Sequence, residues 1–281
     1  MLRPCLRLLA APTLTVGSLP PKTLPPNDAL LLAMLVLDGT LARDTLATLL
    51  WPDNPPASAR ANLRQRVKRL QDNTRGHLLL SQGTQLALAP AVQHDLSDLP
   101  TALHVNPQAA AGALLGPLQI KDNPAASLWL DQARARVQAL RQQVLQDHAD
   151  ALEQAHALEA ALPYAQRLVS EDPLQENAHR RLMRLHYRRG DRGAALAVYR
   201  QLAQTLHRQL DSAPDAQTEA LARLIEGAMP SLPVAAPAPV KTVPSEEPQA
   251  PSAPAAATWA ALMRPPRLLQ RQAEWTQLSR A

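Results

Sequence analysis

PPASARANLRQRVKRLQ, residues 55–71, carries two patterns at once. At about 100° per residue, Leu63, Val67 and Leu70 fall on one side of a helix, and Ala59 joins them. That stripe is apolar and calls for burial. Pro56 suits a first helical turn, and Gly76 suits the turn after the last, so the spacing predicts a helix over 56–75. Arg60, Arg64 and Lys68 climb one shoulder of this helix. Gln65 and Ala61 lie opposite the stripe, and Arg69 lies beyond them. Arg66 sits at the stripe's other edge, where a long side chain can lay its stem along apolar surface and keep its charge in water.

From Ser58 to Gly76 there are six Lys/Arg and one Asp, an excess equal to the +5 of the whole chain. A solvated helix normally mixes signs to gain i,i+4 pairs. Here Arg60, Arg64 and Lys68 repel one another unless an anion is present. Phosphates would remove that cost and release counterions. Arg and Gln also match base edges in a major groove. The other reading of the same charges is a basic face that only keeps the protein soluble.

Working outward, RPCLRLLA (3–10) and TLTV (13–16) read as short strands. SLPPKTLPP (18–26) is turn-rich, with room for one brief extended piece. Asn27 or Asp28 can cap a helix through DALLLAMLVLDG, which stops near Gly39 and is apolar almost all round, hence buried. ARDTLATLLWPD is a second, shorter helix ended by Pro52. After the basic helix, HLLLSQGTQLALAP places two alternating runs around Gly83, a hairpin signal. The order is strands, three helices and a hairpin, within residues 1–98.

From Pro107 to Gly227 the pattern predicts helices only. Ala161 and Ala195 lie 34 residues apart, as do Leu162 and Leu196, Ala151 and Leu185, and Leu168 and Leu202. A helix–turn–helix period of 34 is that of tetratricopeptide repeats, and Gly190, Tyr199 and Asp172-Pro173 fit the pattern. A plain Ala/Leu-rich helical bundle is the alternative. Such stacked helix pairs offer a surface to a protein partner. The arginines of HRRLMRLHYRRGDR could meet an acidic partner or the first domain, or form a solvated face. Residues 229–258 are a Pro/Ala-rich linker without periodicity, expected to be disordered. Residues 259–281 are too few for a domain.

Composition narrows the function. Phe is absent and aromatic residues are 2% of the 281, so Leu, Ala and Val must build the core, which suits helices. The one cysteine, Cys5, excludes an internal disulfide and a cysteine-rich zinc site, and fits a reducing cytoplasm. No stretch is apolar enough for a membrane span. His179 and His186, and His148 and His156, find no third ligand for a metal. Asp53, Asp72 and Asp95 form no pair suited to acid–base chemistry. There is no Gly-rich phosphate loop. The expectation is a protein with no cofactor, no metal and no catalytic residues.

LLWPDNPPASARANLRQRVKRLQ (49–71), LLLSQGTQLALAP (78–90) and HDLSDL (94–99) together resemble the DNA-binding part of the Streptomyces antibiotic regulatory protein (SARP) type, which uses an OmpR-like winged helix. GALLGPL (112–118), LWLDQARARV (128–137) and the stretch from Asp172 to Leu221 resemble the bacterial transcriptional activator domain of the same family. The resemblance covers about residues 3–226. It implies a mainly α protein: an α+β winged helix over 1–98, then an all-α, tetratricopeptide-like activator domain over 99–228. It implies a cytoplasmic, sequence-specific regulator of transcription, an activator rather than a repressor. Its partners would be double-stranded promoter DNA and RNA polymerase or another protein, with room for a homodimer.

Carried onto this chain, the groove residues would be Arg60, Asn62, Arg64, Gln65, Lys68 and Arg69, while Arg75, Gln82 and Thr84 would approach phosphates. Arg66 departs from the small apolar residue common there and bears on the docking angle of the helix. RPPRLLQRQAEWTQL, near the end, resembles the opening of the family's nucleotide-hydrolysing (NTPase) domain, with Gln270 in place of a Gly; the chain would be a shortened, split or truncated member. Two other functions fit: a repeat-based adaptor that binds only protein, and the regulatory fragment of a split ATPase.

Overall fold

The structure, a computed structural model, describes residues 3–227. The expected linker and the NTPase-like tail lie outside the described residues. Three short strands open the chain: β1 (Pro4–Arg7), β2 (Thr13–Val16) and β3 (Lys22–Thr23). Then come α1 (Pro26–Leu37), β4 (Leu41–Ala42), α2 (Arg43–Leu50) and the basic helix α3 (Pro56–Asn73). The hairpin follows as β5 (Leu79–Gln82) and β6 (Gln85–Leu88), then β7 (Gln93–His94). Two sheets result, ordered β3-β2-β1-β7 and β4-β6-β5. β1 pairs antiparallel with β2 and parallel with β7.

α1 is buried from Asp28 to Leu35, as its unbroken apolar run predicts. Its start differs from the sequence reading: Pro25 occupies the cap position, no side chain caps the helix, and Asp28 turns inward. β7 is locked to β1 by Asp95, whose Oδ2 accepts from the Leu8 and Leu9 amides, both at 2.8 Å. Burial pushes that carboxyl up, against those same amide bonds.

The helical part is α4 (Asp95–Val105), α5 (Pro124–Gln154), α6 (Leu158–Glu171), α7 (Glu176–Arg188), α8 (Arg192–Leu210) and α9 (Ala216–Gly227). Each helix from α4 onward packs on the next. The repeat holds where it matters for packing: Ala161 and Ala195 are both buried, as are Leu168 and Leu202. The pair Ala151 and Leu185 breaks it, since Ala151 is exposed and Leu185 buried. Gly190, at φ +82°, makes the turn between α7 and α8.

Residues 106–123 correct the expectation of helices only. They form an irregular connector with left-handed backbone at Ala110 and Leu115. The Leu115 amide donates to the Leu8 carbonyl at 2.7 Å, and Ala10 to Ala113 at 3.0 Å. Two arginines of α5 satisfy the connector's carbonyls. Arg134 donates to Leu114, Gly116 and Leu118, and Arg141 to Ala110 and Gly112. Buried carbonyls outside regular structure need such donors.

One apolar core runs from Leu6 to Ala178 and takes in both sheets' inner faces, α1, α3, α4 and much of α5. Polar bonds add to it at the margin. Trp129 Nε1 donates to Asp38 Oδ2 at 2.7 Å, and Arg136 Nη1 to Asp38 Oδ1 at 2.7 Å. Tyr164 Oη donates to the His104 carbonyl at 2.7 Å. The α+β part therefore rests on the helical part through shared buried surface.

Candidate nucleic-acid interface

α3 docks by the stripe its spacing predicts: Ala59, Leu63, Val67 and Leu70 are buried. Burying a Leu or Val side chain is worth about 1.5–3 kcal/mol each, so the stripe fixes the helix's rotation. That rotation leaves Arg60, Arg64, Gln65, Lys68 and Arg69 exposed, with Asn62 half-buried at the margin.

The cations are not equivalent. Arg60 Nη1 stands 3.4 Å from Asp44 of α2, an exposed pair that water screens. Arg69 Nη2 donates to Asp28 Oδ2 at 2.9 Å, so this residue, read as facing out, is also tied to the core. Arg66 Nη1 donates to Asp28 Oδ1 at 2.7 Å, and its guanidinium lies 5.9 Å from the centre of the Trp51 ring. Arg66, expected at the stripe's edge with its charge in water, instead turns that charge onto buried Asp28 and is an internal staple. Asp28 is 2% exposed, and two guanidiniums hold its charge. Among the described residues, no acid pairs with Arg64 or Lys68.

The hairpin stands beside the end of α3. Gln82 pairs with Gln85 across a two-residue turn, Gly83-Thr84, with Gly83 at φ +57°. Glycine at the first central position suits a hairpin turn whose twist matches its strands. Gln82 and Thr84 are exposed at the tip. Arg75 is exposed too, in left-handed backbone at φ +51° where the chain leaves α3.

Two residues that sequence reasoning missed hold the hairpin in place. Gln71 Nε2 donates to the Leu79 carbonyl at 2.6 Å, and the Leu79 amide faces Gln71 Oε1 at 3.4 Å. The Arg43 amide donates to the Thr84 carbonyl at 2.9 Å, and Arg43 Nη2 to Ser81 Oγ at 2.8 Å. β4 adds a third strand through Leu41–Leu86 and Ala42–Gln85. No sequence signal separates Gln71 from the other amide side chains of α3; only its partner, eight residues on, does.

The arginines of α7 and its turn are used mostly within the chain. Arg180 pairs with Asp215 at 2.6 Å, Arg181 with Glu153 at 2.9 Å, and Arg189 with Glu159 at 2.7 Å. The Thr218 amide and the Arg180 guanidinium hold the Asp215 carboxyl down at about 2. These pairs staple α7 to α5, α6 and the start of α9. Arg184 and Arg188 stay exposed. His179 is buried, with Nδ1 3.1 Å from the Gln175 carbonyl. His104, His148 and Tyr164 form a ring cluster with centroids 4.0 and 4.4 Å apart. Among the described residues no group of acids, histidines or cysteine is arranged to hold a metal. No helix among them is long and apolar enough to cross a membrane.

Residues 72–226, from the last turn of α3 through α9, match the family model of the bacterial transcriptional activator domain. The chain belongs to this family. Among solved structures, Mycobacterium tuberculosis EmbR, in complex with a low-affinity phosphopeptide, is similar in fold, with a TM-score of 0.57 at 21% identity. The likeness covers 80% of this chain and 65% of that one. A comparison with curated proteins finds no match.

Proposed function

We propose that this protein is a transcription regulator of SARP type that binds double-stranded promoter DNA in a sequence-specific way, with α3 in the major groove and the β5–β6 hairpin as a wing. The observation that carries this reading is the basic shoulder of α3, on which Arg64 and Lys68 have no acid partner among the described residues. Arg64 and Lys68 project from a helix whose opposite face is locked into the core, with Gln65 exposed and Asn62 half-buried beside them. Fixed cations and amides on a rigid helix suit phosphate contacts and base-edge readout together.

Arg60 and Arg69 hold acids in the free protein through Asp44 and Asp28. Each guanidinium keeps further N–H groups for a phosphate. Arg75, Gln82 and Thr84 would reach the neighbouring backbone. The division of labour falls between residues 1–98, which read DNA, and 99–228, which recruit RNA polymerase or another protein. A homodimer on paired half-sites fits the same scheme. The protein would work in the cytoplasm as an activator, without enzymatic activity of its own.

A footprint on the DNA upstream of its own gene tests this reading. Protection of a defined site at moderate salt supports it. Protection that is uniform over the fragment, or absent, contradicts it and favours a protein-binding adaptor.

A further inference from the structure

A cavity of about 570 Å³ lies under the C-terminal half of α3. Leu14, Leu24 and Leu70 supply apolar wall, and Lys22, Asp28 and Arg69 supply charge. This size and this mixture, mostly apolar with a few convergent polar groups, are those of small-molecule sites.

The charge at its floor has a sign. Asp28 contributes one carboxylate, and both its oxygens are taken, Oδ1 by Arg66 at 2.7 Å and Oδ2 by Arg69 at 2.9 Å. Two guanidiniums against one carboxylate leave a surplus positive charge, and Lys22 adds another at the cavity wall. Arg69 uses one of its five N–H donors on Asp28, so others are available. A cationic ligand would meet net repulsion, since two guanidiniums already engage the Asp28 carboxylate. A neutral ligand would cover guanidinium N–H groups without pairing them, which costs free energy. An anion would pair them.

We propose that this cavity binds a small amphipathic anion: an apolar body lodged among Leu14, Leu24 and Leu70, and one carboxylate paired with Arg69 and Lys22. The ligand would be an effector. This last step rests on the DNA-binding reading, in which Arg69 also meets DNA. Ligand and DNA then compete for one guanidinium, and by linkage each weakens the other's affinity by the same factor.

The binding step is tested without DNA, by calorimetry on the full chain with three probes of matched shape: naphthylacetate, naphthylmethanol and naphthylmethylamine. Naphthylacetate should saturate one site and bind about tenfold or more tighter than the alcohol, the worth of a hydrogen bond to a charged group. The amine should bind least. Arg69→Gln should weaken naphthylacetate by about tenfold and spare the alcohol. Arg66 still holds Asp28 in that variant. Lys22→Gln, at an exposed position, should weaken it by about twofold to fivefold.

An amine that binds as tightly as the acetate overturns the proposal, as does the absence of saturable binding by any of the three. Acetate affinity that both substitutions leave unchanged also overturns it. Naphthylacetate that binds yet leaves DNA affinity unchanged overturns the effector role. Failure to bind DNA at all would sink the DNA-binding reading and leave the anion site standing.

Discussion

Arg66 of α3 donates to the buried Asp28 of α1 at 2.7 Å, across 38 residues of chain. The basic helix is thus fixed to the core by charge as well as by its apolar stripe. Asp28 faces two cations at once, so losing its charge leaves both without a counter-ion. Asp28→Asn should cost about 1.5–3 kcal/mol in urea unfolding, the range for hydrogen bonds to charged groups. Asp44→Asn, which removes the exposed partner of Arg60, should cost less than about 1 kcal/mol. Equal costs would show that Asp28 is not a staple.

Gln71 acts on the wing as a side-chain substitute for a β-partner, bonding the carbonyl and facing the amide of Leu79. Leu79 is 1% exposed, so water cannot replace these bonds readily. Gln71→Leu should cost about 1–2 kcal/mol. Amide exchange should accelerate in the hairpin, Leu79–Leu88, more than in α1. Uniform acceleration would mean global destabilisation without a specific role at the wing.

Two glycines share φ +57° but differ in their surroundings. A Cβ on Gly83 would meet nothing within 4 Å, whereas one on Gly116 would meet the Ala10 carbonyl oxygen at 2.8 Å. Gly83→Ala should therefore cost only the left-handed strain, about 1–2 kcal/mol. Gly116→Ala adds a clash with backbone that cannot swing aside, and should cost more. Thermal unfolding of the two variants side by side checks the order.

His179 supplies a pH dependence. Burial lowers its folded pKa below the ordinary 6.5, against the opposing pull of the Gln175 carbonyl, Glu176 and Asp172. His148 is lowered too, by burial and then by the adjacent His104. A group with a depressed folded pKa takes up its proton first in the unfolded chain. Its contribution to stability is full above the ordinary value and is lost as pH falls below it. Unfolding temperature should drop between about pH 7 and pH 5, and His179→Gln should flatten that drop. A rise in stability over the same interval would contradict the burial of neutral histidine.

Much of the fold was legible because periodicity reports burial directly. Leu63, Val67 and Leu70 face the core as their spacing requires, and Gly83 turns the hairpin. The fate of Arg66 was not legible, because its partner lies on another helix and Asp28 looks locally like a cap. β4 and β7, two residues each, are too short to show alternation. The connector over 106–123 is rich in Ala and Leu, which favour helix. Its left-handed turns at Ala110 and Leu115 are imposed by bonds to Leu8 and Ala10 and to Arg134 and Arg141, partners far away in sequence. The arginines of α7 show the same limit, since charge along a helix does not reveal which neighbour takes it.

If the exposed shoulder of α3 meets DNA phosphate, Arg64 is its cleanest probe because it has no acid partner among the described residues. The decisive measurement is the affinity of wild type and Arg64→Ala for duplex DNA from upstream of the protein's own gene, taken across a salt series. Arg64→Ala should bind more weakly, with a salt slope flatter by about 0.9, the share of a single neutralised phosphate. Equal affinity and an equal slope would contradict that phosphate contact.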